Sequence, residues 1–174
     1  MLKSIGIGVV AGVVATAVMD TSQTTLIPLV SSWIKSAGDK SKEAPPSKDS
    51  TVGETPESSP EKVAHHIARM GGIDLDREEI SRWGNRVHWL YGTHWGAVYA
   101  ILPLPRTPLA GLAYGAILWL WSDELLLWAL GIAEKPTHYP FESHASALAA
   151  HVIYGGTLGT MLAGLELPFS KRPR

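Results

Sequence analysis

Four stretches of this sequence are almost free of charged residues, and each is close to the length that a helix needs to cross a membrane. The chain has 15 basic and 16 acidic residues, and nineteen of these fall between Lys35 and Arg86. A helix needs roughly 20 apolar residues to span ~30 Å of hydrocarbon, and charge collects in the loops of membrane proteins. The pattern therefore predicts an all-α integral membrane protein, a bundle of four transmembrane helices.

The breaks between these stretches predict the organisation of the chain. Pro103, Pro105 and Pro108 surround a tight turn between the second and third helices, because proline cannot continue a helix. Ser, Lys, Glu, Pro and Gly dominate 36–60, a composition typical of disorder. In order, we predict a first transmembrane helix with a polar extension at 1–35, a disordered loop at 36–60, a short amphipathic helical segment at 61–80, transmembrane helices at 81–103, 109–133 and 143–167, and a basic tail at 168–174.

Two of these segments have alternative interpretations. Val63, Ile67 and Met70 recur at helical spacing, which indicates a short helix at the membrane surface, packed on the bundle or facing solvent. The first stretch also has features of a cleaved signal peptide, namely Lys3, an apolar run and small residues at 15–17. The internal repeat favours retention of this stretch, because it has a counterpart later in the chain.

Two sets of motifs occur twice, in the same order. The first and third predicted helices share Gly-x3-Gly-x7-Asp at an offset of 103, and the second and fourth share Glu-x8-His-x2-Tyr-Gly-x3-Gly at an offset of 63. We predict two tandem copies of one helical hairpin. Each hairpin starts and ends on the same side, so the copies are related by a pseudo-twofold axis along the membrane normal. The matched positions are Gly8 and Gly111, Gly12 and Gly115, Asp20 and Asp123, Glu79 and Glu142, His88 and His151, Tyr91 and Tyr154, Gly92 and Gly155, and Gly96 and Gly159.

The basic residues near the helix ends predict the orientation. Positively charged short loops and tails stay on the cytoplasmic side, whereas long loops count little. We predict that both termini are cytoplasmic and that the loop at 36–80 lies outside. Residues Lys35, Arg82 and Arg86 favour the opposite orientation, and those that support the prediction are Lys3, Arg106, Lys171, Arg172 and Arg174.

The repeated glycines predict close contacts between helices. Small residues four positions apart let helix backbones approach one another, which drives packing in lipid. The same faces would allow a homodimer, and a close approach of backbone to a bound ligand is the alternative. The glycines assigned to helix packing are Gly8, Gly12, Gly92, Gly96, Gly111, Gly115, Gly155 and Gly159.

The repeated acidic, histidine and tyrosine residues predict one buried polar cluster. A charge at the centre of the hydrocarbon costs about 2.5–3.5 kcal/mol on insertion scales, so such a residue indicates function by default. The repeat places these residues at matched depths around its axis. The predicted cluster consists of Asp20, Asp123, His88, His151, Tyr91 and Tyr154, with Glu79 and Glu142 as further candidates.

This cluster has three interpretations. Proton or ion handling follows from the titration of histidine near neutral pH and from the proton relays that Asp, Glu and His form in membrane proteins. A structural role, in which the polar residues only pin helices together, is the alternative. The third is a haem or metal site in which His88 and His151 are the ligands, with His94, His144 and nearby carboxylates as a separate metal site.

Several classes of function lack support. There is no cysteine, which excludes disulfides and Cys-ligated metals. No nucleotide-binding motif or nucleophile elbow occurs, so an enzyme is disfavoured. No basic stripe is available to neutralise the phosphates of a nucleic acid. We predict no cofactor, and the lipid bilayer is the expected partner.

The Gly-rich first helix ending in Asp, together with the stretches HWLYGTHWG and HVIYGGTLG, resembles the YagU-like inner-membrane proteins of bacteria. The resemblance covers mainly the helices. It implies a bacterial inner-membrane location and supplies no catalytic residues. The molecular function of that group is not established, and a link to acid tolerance has been suggested for it. We expect a small multi-pass membrane protein of unknown molecular role, with proton or ion handling through the polar cluster as one hypothesis and a structural or accessory role as the alternative.

Overall fold

The computed structural model describes residues 2–29 and 56–166, and every regular element in these ranges is helical. The predicted all-α class is confirmed. We name five helices, of which α4 is built from three consecutive parts. They are α1 at Leu2–Leu29, α2 at Ser59–Met70, α3 at Arg77–Ile101, α4 at Pro108–Trp119 with Leu120–Leu126 and Leu127–Ala129, and α5 at Phe141–Glu166.

Local signals explain where α3 and α4 begin. The Asp76 carboxylate accepts a hydrogen bond from the backbone N–H of Glu79 at 2.8 Å, and the Glu79 carboxylate accepts one from the backbone N–H of Asp76 at 3.1 Å. This reciprocal capping box satisfies two N–H groups that a helix start leaves unpaired. At the start of α4, the Thr107 hydroxyl oxygen accepts one hydrogen bond from the backbone N–H of Ala110, and Pro108 follows as the first helical residue.

The glycines lie where α1 crosses α3 and where α4 crosses α5. A Cβ atom on Gly96 would lie 2.5 Å from the Cα of Gly12, and one on Gly8 would lie 2.5 Å from the Cβ of Ala100. On the second crossing, a Cβ on Gly155 would lie 2.7 Å from the backbone nitrogen of Gly115. Real Cβ atoms do not approach so closely, so the backbones meet only because these residues are glycines. All eight predicted glycines occupy these two crossings.

These crossings bear on the predicted homodimer. The eight glycines already lie against neighbouring helices of the same chain. A second copy of the chain would therefore have to bind at another surface. The homodimer stays a prediction, and these glycines do not provide its contact surface.

The two hairpins, α1 with α3 and α4 with α5, meet mainly through α1 and α5. Ala11, Ala15 and Met19 of α1 belong to one buried apolar cluster with Leu158 and Leu162 of α5. The side chains of Ala11, Ala15, Leu158 and Leu162 have no exposed surface. Small side chains on α1 and large ones on α5 thus form the contact that joins the hairpins.

Two helices are long and apolar enough to cross a membrane, namely Leu2–Leu29 and Phe141–Leu165. α3 carries charged residues through its first turns, including Arg77, Glu78 and Glu79. α4 carries Asp123 within its apolar sequence. The predicted spans at 81–103 and 109–133 therefore rest on the repeat rather than on hydropathy.

The predicted segment boundaries differ from the structure in several places. Residues 61–80 comprise most of α2, which ends at Met70, and the start of α3 at Arg77, four residues before the predicted start of the second span. α2 starts at Ser59, within the segment predicted to be a disordered loop. Most of that loop and the basic tail at 168–174 lie outside the described residues.

Candidate functional site

A cavity of about 920 Å³ lies between the two hairpins, at the end of the bundle where α2 packs. Thr16, Gly92 and Tyr154 line it toward the glycine crossings, and residues 56–63 line it at the opposite end. Most of the predicted cluster faces this one cavity. The cluster members in its lining are Asp20, His88, Tyr91, Asp123, His151 and Tyr154.

Asp20 and His88 form the first acid–imidazole pair, within the first hairpin. The Nε2 atom of His88 lies 2.7 Å from Oδ1 of Asp20, which is a short hydrogen-bond distance. The His88 side chain is 20% exposed and the Asp20 side chain 35%. The two side chains are therefore hydrogen-bonded near the middle of α3, and both line the cavity.

Asp123 and His151 form the equivalent pair in the second hairpin, with a longer separation. Nδ1 of His151 lies 4.0 Å from Oδ2 of Asp123 and donates to the backbone oxygen of Ala147 at 2.9 Å. Because a carbonyl can only accept, Nδ1 carries the hydrogen. In the neutral ring Nε2 then keeps its lone pair, so His151 has a site that can take up a proton.

π-Helical segments lie beside both aspartates. Asp123 lies inside Leu120–Leu126, and Asp20 lies two residues before Ser22–Leu26. A π-helical turn interrupts the normal backbone hydrogen bonding and is frequent at functional sites. Ser22 and Ser122 donate to the backbone oxygens of Met19 and Leu118, both at 2.7 Å. These hydroxyls satisfy carbonyls where the helices widen.

The matched tyrosines make different contacts. The Tyr154 hydroxyl donates to the backbone oxygen of Gly92 at 2.6 Å and so ties α5 to α3. The Tyr91 hydroxyl is buried and has no hydrogen-bond partner among the described residues. Tyr154 is thus a tie between the hairpins, whereas Tyr91 presents an unsatisfied polar group beside the cavity.

A third acid–imidazole pair, Glu124 with His144, was not predicted from the sequence. Nδ1 of His144 lies 2.6 Å from Oε1 of Glu124, and Nε2 lies 3.0 Å from the backbone oxygen of Pro136. Both ring nitrogens face acceptors, so one proton stays between the ring and the carboxyl. The sequence contains one indication of this pair. Glu124 follows Asp123 directly, and adjacent side chains on a helix point about 100° apart, so Glu124 cannot face the same partner as Asp123.

Glu79 and Glu142 do not belong to the cluster, which corrects the prediction for both residues. Glu79 closes the capping box at the start of α3, and Glu142 is exposed in the first turn of α5. Neither side chain lines the cavity. Their repeated occurrence reflects the favourable position of a carboxylate at a helix N-terminus.

α2 covers the outer end of the cavity and binds to both hairpins. Arg77 of α3 donates to Glu61 at 2.9 Å, and Lys62 donates to the Tyr139 hydroxyl before α5 at 3.0 Å. A Cβ on Gly84 would lie 2.5 Å from Cγ of Glu61, so α2 lies directly against α3. Ile67 and Met70, predicted on the apolar face, remain 60% and 78% exposed.

The charge of Glu61 is stabilised at this contact. Burial alone would raise the pKa of Glu61, but hydrogen bonds from Arg77 and Ser58 outweigh it and lower the pKa from 4.5 to about 2. The backbone N–H and the hydroxyl of Ser58 donate to Glu61 at 2.8 and 2.9 Å. Glu61 therefore remains ionised over the physiological pH range.

The proposed metal ligands are not grouped around a common centre. Within residues 2–29 and 56–166, no three His, Asp or Glu side chains lie close enough to hold one metal ion. His94 is exposed and packs edge-on against Trp95, with 5.6 Å between the ring centroids. His88 and His144 each contact one carboxylate instead.

Comparisons of the chain with protein-family models, with curated proteins and with solved structures found no match.

Proposed function

We propose that this chain is a multi-pass membrane protein whose cavity takes up protons through two Asp–His pairs. The observation that carries the proposal is that Asp20–His88 and Asp123–His151, one pair from each hairpin, line the same cavity. Paired carboxyl and imidazole groups bind protons as a unit near neutral pH. Such groups are rare in spanning helices and are functional when they occur there.

The helix contacts support a four-span bundle built from two copies of one hairpin. The α1–α3 and α4–α5 crossings use the matched glycines, and each hairpin forms its acid–imidazole pair from matched residues. If the two hairpins arose by duplication, matched positions are expected to make both the packing contacts and the polar contacts in each copy. Within the proposal, all four long helices cross a bacterial inner membrane, and both termini are cytoplasmic.

A carboxyl–imidazole pair can hold a proton without a net charge. With the imidazole protonated on both nitrogens, the pair consists of a carboxylate and an imidazolium and is neutral overall. Loss or gain of a proton then leaves a net charge, which costs most in a fully buried site. Both pairs line the cavity instead, and the contact of His151 Nδ1 with the Ala147 carbonyl leaves Nε2 as the ring atom that accepts a proton.

The position of the cavity supports uptake from one side. Its lining ends at Thr16, Gly92 and Tyr154, before the glycine crossings that lie closer to the chain termini. In the proposed orientation, the α2 end faces the outside of the cell. Protonation of the pairs would then follow the external pH, which agrees with the link to acid tolerance that has been suggested for the YagU-like proteins.

A structural role is the second candidate, and the tyrosine contacts favour it. Tyr154 donates to Gly92, and Tyr114 of α4 donates to the backbone oxygen of Trp95 on α3 at 2.9 Å. Both hydrogen bonds connect the two hairpins. If the Asp–His pairs act in the same way, their replacement would lower stability and change no proton binding.

The test measures proton uptake by the full chain in proteoliposomes after an external acid pulse, with a pH-sensitive dye. We expect the Asp20→Asn, Asp123→Asn double variant to lose uptake without a change in melting temperature. Glu78→Gln, at an exposed position of α3, is the matched control and should behave as the native chain. Unchanged uptake in the double variant would contradict the proposal. The structural role would be supported if neither the native chain nor the variants took up protons and the double variant melted at a lower temperature than the native chain.

A further inference from the structure

The cavity is larger than proton exchange requires. Its volume of about 920 Å³ lies near the upper end of the ~300–1,000 Å³ that is typical of pockets for small organic molecules. A file of waters between a few titratable groups would need only a fraction of this space. The cavity is therefore large enough to hold a small organic molecule.

The walls of the cavity are predominantly apolar. Helices α1 and α4 contribute large aliphatic side chains on facing sides. Burial of such surface favours a ligand with an apolar body. The residues in question are Met19, Ile27, Leu118, Leu126 and Leu127.

The charges in the cavity favour a cation. Asp20 and Asp123 approach from different hairpins. In the described part of the chain, the lining contains six carboxylates, one lysine and three histidines. The lysine, Lys62, donates to Tyr139 at 3.0 Å. Even with every histidine protonated, the acidic groups outnumber the basic ones, so an organic cation would gain charge-assisted hydrogen bonds that a carboxylate or phosphate ligand would not.

Tyr91 lines the cavity, but its hydroxyl is not exposed to it. The hydroxyl oxygen is buried among protein atoms, next to Ser122 and Trp95. The carboxylates of Asp20 and Asp123 are therefore the polar groups on which the preference of the cavity for a cation depends.

We infer that the cavity binds a small organic cation, with an apolar body and N–H donors, between Asp20 and Asp123. This inference rests on the proposed function, because the cation would occupy the same carboxylates that take up protons. Binding of the cation and binding of protons are then alternatives at one site. The apolar part of the ligand would lie against α1 and α4.

The test uses ethidium, a permanently charged aromatic cation with amino groups, and follows its fluorescence with the full chain in nanodiscs. We expect saturable binding that weakens roughly tenfold or more in Asp20→Asn and in Asp123→Asn, because each loses a charge-assisted hydrogen bond. Glu78→Gln should bind as the native chain does. Phenanthridine, the uncharged ring system, should bind much more weakly. Equal binding by the aspartate variants and the control, or by phenanthridine and ethidium, would overturn the inference.

A second variant covers the case in which an aspartate variant fails to fold. Ser146 lines the cavity on α5, and its hydroxyl donates only locally to the backbone oxygen of Ser143. Ser146→Phe should narrow the cavity, leave both aspartates in place and weaken ethidium binding. Unchanged affinity in this variant would contradict the cavity as the site.

The two proposals fail in distinguishable ways when proton uptake is measured on the same preparations. Aspartate-dependent proton uptake without aspartate-dependent ethidium binding would overturn the inference and leave the proposed function. Aspartate-dependent ethidium binding without proton uptake would overturn the proposed function and identify the cavity as a cation-binding site alone.

Discussion

Tyr91 and Tyr154 occupy matched positions in the repeat, yet their hydroxyl groups have different surroundings. α5 lies against α1, which brings the Tyr154 hydroxyl to the Gly92 carbonyl on α3. The corresponding side of α3 borders the cavity, so Tyr91 finds no carbonyl there. The same residue type therefore contributes stability in one copy and an unsatisfied group in the other.

This difference predicts opposite responses to the same substitution. Tyr154→Phe should lower the free energy of unfolding by about 1 kcal/mol, because it removes an interhelical hydrogen bond. Tyr91→Phe removes a hydroxyl without a partner and should leave stability unchanged or slightly higher. Unfolding by SDS in mixed micelles measures both, and equal losses would contradict the assigned contacts.

The residues of the candidate site could be predicted from the sequence only in part. The repeat singled out Asp20, Asp123, His88 and His151, because unfavourable polar residues recurred at matched positions. It could not predict that Glu124 pairs with His144, since that contact depends on the loop that brings Pro136 to the imidazole ring. Long-range contacts of this kind leave no periodic signal in a sequence.

At the scale of helices, close backbone contact at the glycines holds each hairpin together. Gly6 and Gly164 lie in α1 and α5, and a Cβ on either would meet no atom within 4 Å. By contrast, a Cβ on Gly111 would collide with the carbonyl oxygen of Gly155 and would lie 3.0 Å from the Cα of Gly159. Glycines in the same kind of helix thus serve different purposes.

Alanine substitutions distinguish these positions. Gly111→Ala should destabilise the chain by about 1–3 kcal/mol, since an added methyl group forces the helices apart. Gly164→Ala should be neutral or stabilise by up to about 1 kcal/mol, because alanine is the better helix former. The same SDS titration tests both, and a neutral Gly111→Ala would refute close packing at the α4–α5 crossing.

The contact between α2 and α3 illustrates a limit of hydropathy patterns. The spacing of Val63, Ile67 and Met70 indicated an apolar face, yet the structure buries Glu61 and Ala64 instead. Glu61 can be buried because Arg77 and Ser58 satisfy its carboxylate. The exposed Ile67 and Met70 remain available to a membrane surface. The pattern therefore located the helix and misplaced its buried face.

The α2–α3 contact should depend on pH. The pKa of Glu61 is lowered from 4.5 to about 2, so its ionised form stabilises docking above pH 4.5, and this stabilisation is lost as the pH falls to about 2. Glu61→Gln should weaken docking by about 1–3 kcal/mol at neutral pH. Hydrogen exchange of α2 amides measures this, with Glu78→Gln as control. Equal protection in the two variants would contradict the role of Glu61.

At the scale of the whole molecule, the four-span proposal and a two-span alternative place the α3–α4 turn on different sides. Among the helices in residues 2–29 and 56–166, only α1 and α5 satisfy the hydropathy and length criteria for a membrane span. If only these two helices crossed the bilayer, the turn at 102–107 would lie on the same side as α2. In the four-span bundle it lies on the side of the termini.

Cysteine labelling separates these topologies, because the chain contains no native cysteine. Asp74→Cys, between α2 and α3, should react with an impermeant maleimide added outside. Leu104→Cys, 39% exposed in the turn after α3, should react only after permeabilisation. Labelling of both positions from outside would contradict the four-span bundle.

The central claim is that Asp20 and Asp123 gain protons when the side on which the cavity opens is acidified. Infrared difference spectra of the full chain in lipid, recorded at two external pH values, measure protonated carboxyl groups directly. We predict a carboxylic acid band that grows on acidification, decreases in Asp20→Asn and in Asp123→Asn, and decreases most in the double variant, in which only the other acidic residues contribute to it. A band that remains unchanged in the double variant would contradict the claim.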